Sequence, residues 1–106
     1  MTAAEFVKAL PGRVSPGSIK DSNTCFHFDL SGEGGGQLTV LVENGEILVL
    51  EGLQRTPKCV VKGKAKNFMM VVNREVNPLI ALLTGQIKVS NQGELTRYAK
   101  IFGLMK

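Results

Sequence analysis

Tryptophan is absent from this chain of 106 residues, and only five phenylalanines and one tyrosine supply aromatic bulk. With so few rings, the sequence predicts an aliphatic core of Val, Leu, Ile and Met, the four methionines lending it adaptability. Histidine occurs once and cysteine twice. That excludes the usual four-ligand zinc arrangements and any dense disulfide scaffold, and two lone thiols point to a reducing compartment. Long apolar runs are missing too. Stretches such as Leu79–Leu83 fall far short of the roughly 20 residues that span a bilayer. The start, Met1-Thr-Ala-Ala-Glu-Phe6, has neither the basic head nor the apolar body of a targeting leader. The expectation is a soluble, cytoplasmic protein.

The formal net charge of +4 favours anionic surfaces. It does not by itself indicate nucleic acid, because the basic residues are not interleaved with aromatics that would stack on bases. No nucleic-acid partner is expected. The length matches one domain, covering residues 1–106.

What is present is patterned. Thr2-Ala-Ala-Glu5 is a capping box, so a short helix should start there and stop at Pro11-Gly12. Residues 11–24 have loop composition. Residues 25–30 alternate cleanly, with Phe26, Phe28 and Leu30 on one face and Cys25, His27 and Asp29 on the other. Strands follow at 37–43 and 46–50, joined by Asn44-Gly45, a strong hairpin signal. Two more strands are expected at 59–62 and 86–90. Helices are expected at 67–75, at 78–84 and at about 94–102. In the last of these, Leu95, Tyr98, Ala99 and Phe102 share a face. Alternating strands indicate one covered sheet face. The fold expected is α+β: a single five-stranded, largely antiparallel sheet with helices packed on one face.

Two tempting motifs fail on geometry. Gly32-Glu-Gly-Gly-Gly36 is followed by a strand, whereas a phosphate loop needs a helix N-terminus next. A flexible hairpin connection explains it. Cys25, His27 and Asp29 offer a thiol, an imidazole and a carboxylate, but same-face strand positions lie about 6.6 Å apart. Catalytic partners need hydrogen-bond reach and metal ligands must converge. A solvated or interface-facing surface is the expected role, with no catalytic residues, no metal and no cofactor.

Residues 58–89 are the most informative stretch: strand, helix, Asn77-Pro78, a very apolar helix, Gly85, strand. Asn77 suits an N-cap, Pro78 a first helical position and Gly85 the left-handed residue beyond a helix end. Phe68, Met69, Met70, Val71, Val72, Leu79, Ile80, Leu82 and Leu83 together carry more apolar surface than one sheet face easily hides. The surplus either lines a cavity for an apolar ligand or packs a homodimer or another protein. Arg55, Lys58, Lys62, Lys64 and Lys66 form a run without acidic residues. Lys62, Lys64 and Lys66, close to a helix start, suit an anionic head group or an anionic membrane surface.

The order strand, helix, Asn77-Pro78, apolar helix and Gly85-Gln-Ile-Lys-Val89 resembles the sterol carrier protein type-2 family. Phe26-His-Phe-Asp-Leu-Ser-Gly32, Gln37-Leu-Thr-Val-Leu-Val-Glu-Asn-Gly45 and the closing helical stretch 93–105 follow in that family's order. Leu38 stands where the family often has tryptophan, and Lys64 and Lys66 where it often has small acidic or hydroxyl residues. The chain ends Leu104-Met105-Lys106, without the peroxisomal tripeptide of eukaryotic members. The resemblance implies a non-enzymatic carrier of a fatty acid, acyl-CoA, sterol or similar lipid. Apolar pattern and family position together nominate Phe68, Val71, Val72, Ile80, Leu83, Phe102 and Met105 as lining residues. Residues 103–106, beyond the last helix, are the expected cover.

Overall fold

Thr2 caps the first helix as its sequence predicts. Its hydroxyl accepts from the Glu5 amide at 3.1 Å, and its own amide donates to the Glu5 carboxylate at 2.7 Å. The computed structural model describes residues 1–105. Helix α1 (Ala3–Lys8) is followed by the helical turn α2 (Leu10–Arg13) and a 3-10 turn (Pro16–Ile19). Pro11 therefore sits inside a first helical turn, where its missing N–H costs nothing, instead of ending the helix.

Five strands follow: β1 (Thr24–Ser31), β2 (Gly36–Glu43), β3 (Glu46–Glu51), β4 (Cys59–Lys64) and, after two helices, β5 (Ile87–Val89). Their spatial order is β3-β2-β1-β4-β5. The first three form the expected meander, and β4 pairs β5 antiparallel. The central β1–β4 pair is parallel, with Phe26 opposite Cys59, so the sheet is mixed. Helices α3 (Ala65–Val72), α4 (Pro78–Leu83) and α5 (Gln92–Ala99) complete the chain.

Two turns are more constrained than their composition suggests. Asn44 and Gly45 both hold positive φ, as a tight hairpin requires. The Gly32–Gly36 connection is not a slack loop. A Cβ on Gly35 would lie 2.2 Å from the Leu30 carbonyl oxygen, and the Gly34 carbonyl accepts the Ala4 amide at 2.9 Å. The glycines let the hairpin fold tightly enough to anchor α1.

The core corrects the expectation of an aliphatic interior. Phe6, Phe26, Phe28, Phe68, Phe102 and Tyr98 are all buried and form one connected cluster, with ring centroids 5.2–5.9 Å apart. Phe6 meets Phe68 and Phe28 meets Phe68 edge-on, an arrangement worth about 0.5–1.5 kcal/mol per pair beyond area burial. The few rings are spent at one place, between sheet and helices.

The opposite sheet face is not solvated along its centre, contrary to expectation. Residues 52–58 cross over it from β3 to β4. The His27 ring donates from Nε2 to the Gln54 carbonyl at 2.7 Å, and Thr39 Oγ1 bonds the Gly52 carbonyl and the Gln54 amide, both at 2.8 Å. Cys25, His27, Thr39 and Leu41 are thereby buried. Cys25 and Cys59 are both free thiols, and they lie on opposite faces because Cys59 pairs with Phe26.

Candidate functional site

Helix α3 starts two residues earlier than its composition suggests. Lys64 occupies its N-cap without a capping side chain, and Lys66 lies in its first turn. The buried face of the helix carries Ala65, Phe68 and Val71. After its end, Asn77 caps α4 by accepting the Leu79 amide at 2.8 Å, with Pro78 at the first helical position. Pro78 and Ala81 hold α4 to the core, while Leu79, Ile80 and Leu83 face outward, 40%, 52% and 79% exposed. These three positions share one side of the helix, so α4 is apolar on both faces.

Between the end of α3, the start of α4 and the C-terminal segment lies an open groove of about 350 Å³. Val71, Val76, Pro78, Leu104 and Met105 give it apolar walls; Arg74 and Asn77 are its polar members. The chain after α5 turns at Gly103, buries Leu104 in the core and leaves Met105 half-buried on the groove. The segment expected to be a cover thus forms one wall. Lys106, its last residue, lies outside the described residues.

The seven nominated lining residues occupy three settings. Val71 and Met105 line the groove. Phe68 and Phe102 belong to the aromatic cluster beneath it, and Val72 packs half-buried against that core. Ile80 and Leu83 stand on the outer face of α4. Arg74, Val76, Pro78 and Leu104 belong to the groove although sequence pattern did not nominate them. A polar-composition turn, 73–77, gives no periodic signal for a pocket wall.

The lysines gather elsewhere. Lys62 and Lys64 line a cleft on the uncovered end of the second sheet face, together with Lys88, Asp29 and Gln86. Lys62 lies directly opposite Lys88 across the β4–β5 pair. On its other side Lys62 lies opposite Asp29 across the β1–β4 pair, and this carboxylate offsets the like charges. Lys64 and Lys66 also border a larger depression of about 620 Å³ beyond the α3 N-terminus, shared with Met1, Ser31 and Glu33. All three nominated lysines are exposed.

Nothing in this arrangement assembles a reactive centre from the cysteines. Burial pushes the Cys25 thiol up and raises Cys59 to about 11, so both stay protonated at neutral pH. His27 is bonded to a backbone carbonyl rather than to Cys25. Among the described residues no cluster of three His, Cys, Asp or Glu side chains is placed to hold a metal, and no helix is long and apolar enough to cross a membrane.

A mixed five-stranded sheet with helices on one face and an open groove at their far end defines a small α+β domain. The chain belongs to the SCP-2 sterol transfer family, whose pattern matches residues 6–104. Among solved structures it is similar to the stereoselective inverting sec-alkylsulfatase Pisa1 from Pseudomonas sp., with a TM-score of 0.79 and 16% identity over 100% of this chain. The chain spans only 16% of that enzyme's length. It is also similar to Sterol Carrier Protein 2 Like 2 from Aedes aegypti, with a TM-score of 0.69 and 20% identity over 97% of this chain and 93% of the other. The palmitated form of that mosquito protein gives a TM-score of 0.69 and 20% identity over 96% and 95% of the two chains. At such identities the likeness is one of fold. No curated protein matches the chain.

Proposed function

We propose that residues 1–106 form one non-enzymatic domain that binds, and passes on, a lipid-like ligand such as a fatty acid, acyl-CoA or sterol. The observation that carries this reading is the open groove beside α4, lined by Val71, Val76, Pro78, Leu104 and Met105 with Arg74 and Asn77, next to a helix that keeps three large aliphatic side chains in water. Burial alone holds such a ligand, at about 0.8 kcal/mol per CH₂. Family membership and the palmitated state of the mosquito relative support it. A chain longer than the groove would part α4 from Met105, bringing Phe68, Val72 and Phe102 against the ligand and turning Ile80 or Leu83 inward. Met69, Met70 and Met105 make that boundary adaptable. The free, buried thiols suit a reducing cytoplasm, the compartment we assign to it.

Lys62, Lys64 and Lys66 serve as the contact for an anionic membrane surface, where each cation near the surface contributes about 1 kcal/mol. Replacing all three by Gln should weaken binding to phosphatidylglycerol vesicles at low salt; unchanged binding removes this role. Native mass spectrometry of the purified protein tests the carrier reading itself. A co-purifying or added fatty acid seen as a stoichiometric complex is the expected result. The exposed face of α4 also fits a second copy of the chain. A stable homodimer that takes up no lipid would replace the carrier reading with one of self-association.

A further inference from the structure

Three helices around the groove end on the same pair of hydrogen bonds. At α3, the Arg74 amide donates to the Val71 carbonyl at 3.1 Å and the Glu75 amide to that of Met70 at 2.8 Å. At α4, Gly85 donates to Leu82 at 3.2 Å and Gln86 to Ala81 at 2.9 Å. Beyond α5, Gly103 donates to Lys100 at 3.2 Å and Leu104 to Ala99 at 2.8 Å. The first donor of each pair is left-handed, with φ of 65°, 76° and 80° in turn. This helix ending selects glycine because a Cβ is disfavoured there. Glycine fills the position twice; α3 has an arginine.

Charge at a helix C-terminus does not explain that choice. A cation anywhere in the last turn of α3 would complement the helix dipole without occupying a left-handed residue. Nor is the cation used in either of the ion pairs among the described residues, Lys8–Glu51 and Glu94–Arg97. Arg74 instead borders the groove and is the only charged member among its described lining residues. A guanidinium beside apolar walls offers forked, charge-assisted hydrogen bonds to a carboxylate, while the walls take an alkyl chain.

We propose that Arg74 binds the carboxylate of a fatty acid whose alkyl chain lies against Val71, Val76, Pro78, Leu104 and Met105. This rests on the lipid-binding reading above and narrows it to a ligand with an acidic head.

The test compares oleic acid with oleyl alcohol, which has the same chain and no charge, on the wild type and on Arg74→Gln and Arg74→Lys. Arg74→Gln should weaken oleic acid binding about three- to tenfold, the range of a partly exposed charge pair, and leave oleyl alcohol within about twofold. Arg74→Lys should keep part of the preference. Equal losses for acid and alcohol, or no loss for either, would overturn the assignment to Arg74 while leaving lipid binding intact. A wild type that binds neither compound removes the lipid-binding reading, and this inference with it. Thermal denaturation of each variant separates a binding loss from a folding loss.

Discussion

The ends of α3 and α5 share one backbone geometry and differ in the residue that adopts it. At Gly103, with φ of 80°, the geometry takes the residue it favours. A Cβ there would make only ordinary contacts, 3.4 Å from the Arg13 guanidinium and 3.8 Å from the Phe6 ring, so the backbone conformation and not lack of space selects glycine. At Arg74 the same backbone conformation carries a long charged side chain on the rim of the groove. One end takes the residue its backbone favours. The other accepts a backbone cost and presents a functional group, which is where strain is expected to be informative.

Exchanging the two residues should break the comparison most visibly. Gly103→Arg forces a side chain into the left-handed position against Arg13 and should lower stability by about 2 kcal/mol, with Tm falling by about 10 °C. An unchanged melting curve would show that this end tolerates what the other displays. A comparable effect should come from pH at the start of α5, where the buried Cys59 thiol donates to the Asn91 carbonyl at 3.5 Å. Its folded value of about 11 lies above the ordinary 9.0. The fold therefore holds the proton more tightly than the unfolded chain does. The stability it supports is complete below pH 9 and declines as pH rises towards 11, by about 2 kcal/mol in all. Denaturant titrations across that window should show the loss, and Cys59→Ala should make it shallower, leaving the part that the raised Cys25 thiol contributes. The smallest change is expected at the other end. Arg74→Gly should raise stability by about 0.5–1 kcal/mol, seen as a Tm increase of a few degrees, while weakening oleic acid binding. A stabilised variant with undiminished affinity would sever the link between the two properties.

The elements were legible wherever the signal was local. Thr2 and Glu5, Asn44 and Gly45, Asn77, Pro78 and Gly85 each satisfy backbone requirements within a few residues, and each lies where its chemistry places it. Alternation in 25–30 correctly assigned Phe26, Phe28 and Leu30 to the core. The cover over Cys25 and His27 was not legible, because it depends on residues 52–58 meeting Thr39 and His27 across the sheet. Nor was the gathering of all six aromatic rings, which come from four separate elements and the turn after α5. For the groove, Val71 and Met105 were within reach of pattern and family position. Arg74 was not: arginine carries no turn signature, and only the backbone of the folded chain reveals that it stands where glycine is preferred.

The parallel pairing of β4 with β1 also has a consequence for synthesis on the ribosome. The meander is complete at Glu51, but the inner edge of β1 stays unpaired until residues 59–64 emerge. Throughout that interval Phe26 and Phe28 have no α3 or α5 above them, and an open strand edge lies beside them. The nascent chain is thus most prone to aggregate while Glu51 has left the ribosome and residues 59–64 have not, and slowing elongation during that interval of emergence should lower the soluble yield.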